Sequence, residues 1–329
     1  LLQQLAKFIV MKKVIRFTVK FIIIAFVSLI ILLLVFDRVT QFRMDDKEYT
    51  EWFAQKGLHT SIAYYQQNGR TIRYATIGSD TTATIFFIHG APSSLSYYRS
   101  YMCDSTLLTK ATMLAVDRPG YGYSGLGDPV TSIEEQVKMI SPVLDSLHKL
   151  HHPVVVVAAS YGTSIACRLA MDHPELVDGI VLIAPALQPG EEKYFWFTNI
   201  IESPIFHWFI PRMLKSANAE KVHHRQELEK MLPLWGNIKA PVIYLQGADD
   251  GLVFTTNAAF AKTHLTNVPY LSIEMIPNEG HLLVFSEKQK IDSSIIKMID
   301  LAKLNIAGKL KRGDSLNITT PISSLPAKK

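Results

Sequence analysis

The chain has 329 residues, of which 48% are apolar and 19% charged, ample for a large core in one α/β domain with an insertion or in two domains. Its formal charge of +5 is matched by five bases in the first twenty residues, Lys7, Lys12, Lys13, Arg16 and Lys20, with no acid among them. Without them the body balances at 29 bases and 29 acids, so composition gives no argument for a nucleic-acid partner.

In chain order, the basic segment 1–20 leads into residues 21–36, FIIIAFVSLIILLLVF, sixteen residues without a charge. As a helix at about 1.5 Å per residue this covers roughly 24 Å, slightly less than a hydrocarbon core, and Lys20 and Arg38 can snorkel across the difference. The competing reading is a cleaved signal peptide. It meets an apolar region on the long side and no A-x-A-like site in LLLVFDRVTQ. A retained transmembrane anchor is the reading taken, with the N-terminus cytoplasmic because the bases precede the span, and the body extracytoplasmic, periplasmic in a bacterium. Met11-Lys12-Lys13 reads as a start, with residues 1–10 as an upstream extension. Residues 37–57 are mixed and charged and read as a stalk with an entry helix.

Beyond the stalk, HTSIAYYQQNG and RTIRYATIG form two strands about a turn at Asn68-Gly69. TATIFFIHG and ATMLAVDRPGYGYSG each pair a strand with a Gly-containing loop. Residues 132–150 have helical spacing, with Pro142 predicting a kink or a late start. VVVVAASYGTSIACRLA is an apolar strand running through a sharp turn into a helix. GIVLIAPAL, APVIYLQGADD and YLSIEMIPNEGH supply further strands, and SEKQKIDSSIIKMIDLAKL closes the pattern as a helix. Strands alternating with helices mean a mostly parallel sheet covered on both faces, with the first hairpin as an antiparallel edge.

Residues 188–239 break the alternation. They carry no clear strand but many aromatics (Tyr194, Phe195, Trp196, Phe197, Phe206, Trp208, Phe209, Trp235) and read as a helical cap that packs on the body and roofs a pocket. The tail 306–329, rich in Ser, Thr, Pro and Lys, reads as disordered. Cys103 and Cys167 are the only cysteines, too few for a disulfide framework or a zinc site, and Cys167 reads as a small buried hydrophobe.

Ala158-Ala159-Ser160-Tyr161-Gly162 presents one hydroxyl at the end of a buried strand, with small residues two before and two after it. A serine hydroxyl becomes a nucleophile only with a base, a group to orient that base and donors for the oxyanion. A strand–turn–helix junction aims the following amides at the developing charge. With this elbow, the HGAP after the third strand, the loop Asp117-Arg118-Pro119-Gly120, the acid in QGADDGLV and the His in NEGH, residues 58–303 resemble the α/β-hydrolase family in order throughout. Ala158 departs from the usual first Gly of its G-x-S-x-G elbow.

That resemblance implies a mostly parallel eight-stranded sheet with helices on both faces, formed by residues 58–187 and 240–305 and interrupted by the cap. It implies Ser160 as nucleophile, His281 as base and the amides of Ala91 and Tyr161 as the oxyanion hole. It implies Asp250 as orienting acid; Asp249 is the adjacent competitor, and spacing alone separates them. Asp117 and Arg118 read as structural. His151-His152 and His223-His224 read as solvated surface, and no metal-ligand spacing occurs. No metal or organic cofactor is needed. The expected activity is hydrolysis of an ester in a small, apolar or lipid-like acyl substrate. C–C bond hydrolase, aminopeptidase, perhydrolase and non-enzymatic ligand-binding relatives remain open, although the insertion displays no acidic cluster that would clearly hold a peptide's amino terminus.

Overall fold

The computed structural model describes residues 2–78, 82–144, 152–193, 196, 198, 201, 203, 209–310 and 316–318. Helix α1 (Leu2–Val39) is continuous through the basic segment and the apolar stretch. Within it, Met11–Val39 is long and apolar enough to cross a membrane, and its most apolar window buries nothing against the body.

Residues 37–57 do not stand off as a free stalk. Asp37 accepts from the backbone N–H of Arg212 at 2.7 Å, and Arg43 donates through Nη1 to Gly122 O at 2.7 Å. Helix α2 (Asp46–Ala54) begins at Asp45, whose side chain accepts from Glu48 N. The helix places Tyr49 and Phe53, four residues apart on one face, fully inside the core. The charges visible in the sequence occupy its other face, which is why composition suggested a solvated segment.

The sheet runs β1 (Thr60–Gln67), β2 (Arg70–Ile77), β4 (Thr112–Val116), β3 (Thr84–Ile88), β5 (Val154–Ala159), β6 (Gly179–Ile183), β7 (Val242–Gly247), β8 (Leu271–Ile276). β2 pairs antiparallel with both β1 and β4, and the remaining pairs are parallel. The first hairpin turns at Asn68 and Gly69 with φ of 49° and 74°, the left-handed pair that a two-residue turn requires. A ninth strand, β9 (Leu316–Ile318), pairs parallel with β8 inside the tail read as disordered.

The valine run of β5 serves two cores at once. Val154, Val156 and Ala158 face one apolar cluster and Val155, Val157 and Ala159 the other. Helices α3 (Ile133–Ile140), α4 (Gly162–Asp172) and α6 (Thr256–His264) cover the first face. α2 and α7 (Lys288–Ile306) cover the second. Pro142 acts as expected, since α3 ends at Ile140; its predicted continuation over 145–150 lies outside the described residues. Cys167 is fully buried and Cys103 partly so, both free thiols.

In the cap, α5 (Arg212–Met231) runs into a 3₁₀ turn over Leu232–Asn237. Of the cap aromatics, Trp235 is buried, while Trp196 and Phe209 are exposed. Tyr194, Phe195, Phe197, Phe206 and Trp208 lie outside the described residues.

Candidate active site

At the end of β5 the backbone of Ser160 turns left-handed, with φ 50°, a conformation that costs a non-glycine residue about 1–2 kcal/mol. Its N–H donates to Ile183 O at 2.9 Å, which ties the turn to β6. The small neighbours are a packing requirement. A Cβ on Gly162 would lie 2.6 Å from both Ile88 O and His89 O, and one on Gly90 would lie 3.0 Å from the Ser160 Cβ. The elbow and the loop after β3 are therefore in near contact, and Ala91 and Tyr161 line the same cavity as Ser160 and His281.

The His281 ring joins the two other predicted side chains. Its Nε2 is 3.0 Å from Ser160 Oγ, and its Nδ1 is 2.9 Å from Asp250 Oδ2 and 3.2 Å from Oδ1. Between the two acids, geometry selects Asp250; Asp249 is exposed. The Asp250 side chain is fully buried, and its Oδ1 accepts the amides of Leu252 and Val253, each at 2.9 Å. Gly247 makes this approach possible, because a Cβ there would lie 2.2 Å from Glu279 O and 2.5 Å from Gly280 O, on the loop that carries His281.

The loop over Ser160 is held from beneath. His89 Nδ1–H donates to Gly90 O at 2.7 Å, while Nε2 accepts from Arg118 N at 3.0 Å. Fully buried Arg118 donates to His89 O and Gly90 O and pairs with Glu220 of the cap at 2.6 Å. Tyr121 Oη also donates to Glu220, and Gln136 bridges Arg118 and Glu220. Asp117, read as structural, is buried against Arg73 and accepts the amides of Leu95 and Tyr123. Burial raises its pKa, against the pull of the Arg73 guanidinium.

The cavity has a volume of about 300 Å³. Part of its wall is apolar, from Ile201, Leu214 and Ala217 of the cap and Leu252 and Val253 of the Asp250 loop. Another part is polar: Glu191, Glu192, Lys221 and His224. His224 departs from the surface placement expected for the pair 223–224. On α5 it shares the inward face with Glu220, one turn away, and is 5% exposed, while His223 points out. Of the other pair, His152 is partly exposed and His151 lies outside the described residues. Glu192 and Glu220 escaped the sequence reading, since both work only once the insertion has folded over the body. Among the described residues no group of three or more His, Cys, Asp or Glu is placed to hold a metal ion.

This is the α/β-hydrolase fold, and residues 83–212 match the family described by that name. A monoacylglycerol lipase of Xenopus laevis is 25% identical over 60% of this chain and 58% of its own length. A haloalkane dehalogenase of Agrobacterium fabrum is 28% identical over 53% of this chain and 66% of its own length. The chain thus spans less than two thirds of these relatives. Among solved structures, a bacterial membrane phospholipase A superposes with a TM-score of 0.58 at 19% identity, over 84% of this chain and 98% of the other, a likeness of fold alone.

Proposed function

We propose that the protein is a serine hydrolase that cleaves a carboxylic ester through an acyl-enzyme, with Ser160 as nucleophile, His281 as base and Asp250 as orienting acid. The observation that carries this reading is the 3.0 Å separation of His281 Nε2 from Ser160 Oγ, with Nδ1 of the same ring 2.9 Å from a buried carboxylate. Ser160 attacks the acyl carbonyl as His281 takes its proton. The amides of Ala91 and Tyr161 bind the tetrahedral oxyanion, and His281 returns the proton to the departing alcohol. Water then repeats the sequence on the acyl-enzyme. A serine nucleophile sets this chain apart from relatives that attack through an aspartate.

The apolar wall supports an acyl chain or similar apolar group as the substrate's larger part, in keeping with the lipase among its relatives. Residues 21–36 act in this reading as a retained single-pass anchor with the body on the extracytoplasmic side. The full-length protein is expected to be labelled by a fluorophosphonate probe and to hydrolyse short 4-nitrophenyl esters. Ser160→Ala should abolish labelling and lower kcat by about 10⁴-fold or more. A parent protein that neither labels nor turns over would overturn the reading. Cleavage of the body by protease added to intact spheroplasts is the expected topological result, and its protection would place it on the other side.

A further inference from the structure

The polar end of the cavity contains a carboxylate with nothing to accept. The Glu192 side chain is 5% exposed and lines the cavity, yet neither of its oxygens has a hydrogen-bond partner. His224 Nδ1 lies 3.4 Å from its Oε1. The hydrogen-bond chain behind His224 fixes what that nitrogen offers. Ser164 Oγ donates its one hydrogen to Ala186 O at 2.5 Å, so it can only accept from His224 Nε2, 3.0 Å away. A neutral His224 then carries its hydrogen on Nε2 and turns a bare Nδ1 lone pair toward Glu192. With His224 neutral, three acceptors meet at one place with no donor among them, and buried acceptors are ordinarily paired.

Charge is not what this end lacks. Lys221 lines the same wall within electrostatic reach of Glu192, and Lys193, next along the chain, is tied to Gly251 O. The backbone of Glu192 is bridged antiparallel to Val253, on the loop that carries Asp250, so the acceptor group is fixed relative to the catalytic acid rather than carried on a loose strand. His224 also packs on the Tyr161 ring, 4.7 Å between centroids, beside the nucleophile.

We propose that Glu192 and His224 form a subsite for a neutral hydrogen-bond donor, a hydroxyl group carried by the substrate, while the apolar wall takes its hydrocarbon part. The substrate class is thus a hydroxyl-bearing apolar ester. This rests on the cavity being the substrate pocket of the proposed hydrolase, and the test reads binding so that the two stand or fall separately.

Full-length Ser160→Ala protein in detergent micelles is titrated by calorimetry with 4-phenylbutan-1-ol, its methyl ether and 4-phenylbutylamine, with titrations into protein-free micelles subtracted. The measurement is made at pH 8. The alcohol should bind roughly tenfold tighter than the ether, the scale of a hydrogen bond to a charged acceptor. Glu192→Leu should remove that preference. Equal binding of alcohol and ether overturns the subsite, as does a preference that survives Glu192→Leu. An amine that binds tightest, and only with Glu192 present, overturns the neutral-donor assignment in favour of a cation site. Should Glu192→Leu fail to fold, the alcohol–ether comparison on the Glu192-containing protein decides alone, with Glu192→Gln as the second variant. Fluorophosphonate labelling of the parent judges the hydrolase reading independently. Labelling without an alcohol preference removes the subsite only, and a preference without labelling removes the hydrolase only.

Discussion

His89 lies fully buried between the ends of β3 and β4, and desolvation, reinforced by the Arg118 guanidinium, holds its pKa well below the usual 6.5. The folded protein therefore keeps it neutral while the unfolded chain takes up a proton. Its contribution to stability is fully present above about pH 6.5 and is lost as pH falls toward the depressed folded value, at about 1.4 kcal/mol per pH unit. The thermal midpoint should fall between roughly pH 6.5 and 5, and His89→Asn, which keeps a donor for Gly90 O, should flatten that slope; an unchanged slope would contradict the assignment. At this scale the sequence was most informative where chemistry is local. Ser160 and His281 stand out because a sharp turn and a loop after the last long strand fix their places along the chain. Spacing alone favoured Asp250 over Asp249, because what further distinguishes them is which carboxylate meets the Leu252 and Val253 amides, a matter of backbone path. Glu192 was invisible because its burial beside His224 arises only once the insertion has folded over the body.

A buried ion pair is among the links that join the cap helix α5 to the core. Arg118 and Glu220 are 102 residues apart in sequence and both fully buried. The Arg118 pKa is depressed by desolvation but raised overall by the Glu220 carboxylate. Removing one partner from such a pair leaves an uncompensated buried charge, at a cost of about 3–5 kcal/mol. Glu220→Leu should lower stability by that order in chemical denaturation. Because Arg118 also donates to His89 O and Gly90 O, kcat for a short soluble ester should fall with it in the folded fraction. A variant as stable and as active as the parent would show the cap to be independent of the loop. Elements with one strong period or composition, such as β5 and α7, were legible from sequence. The role of Arg118 was only half legible: a structural arginine could be read from its loop, but its partner lay on a helix whose docking no short-range pattern specifies.

For the molecule as a whole, the stretch after the apolar segment is the largest departure from expectation. A charged, mixed composition concealed Tyr49 and Phe53, whose burial contributes about 1.5–3 kcal/mol each. A chain beginning at residue 37 should keep the stability and the fluorophosphonate labelling expected of the full-length protein. One beginning at 58 loses α2 and should aggregate or unfold at a lower temperature than the chain beginning at 37. Equal solubility of the two truncations, measured by sedimentation and thermal unfolding, would contradict the buried role of α2. The far end of the same segment has a further consequence. Asp37, on the last turn of α1, holds Arg212 at the first residue of α5 through its backbone N–H and its guanidinium. The start of α5, which borders the pocket, is thereby tied to the last turn of α1. Because Arg43 and α2 fasten the same segment to the body, cap and sheet share one tether to α1, and a cross-link between positions 37 and 212 should leave the fold unchanged.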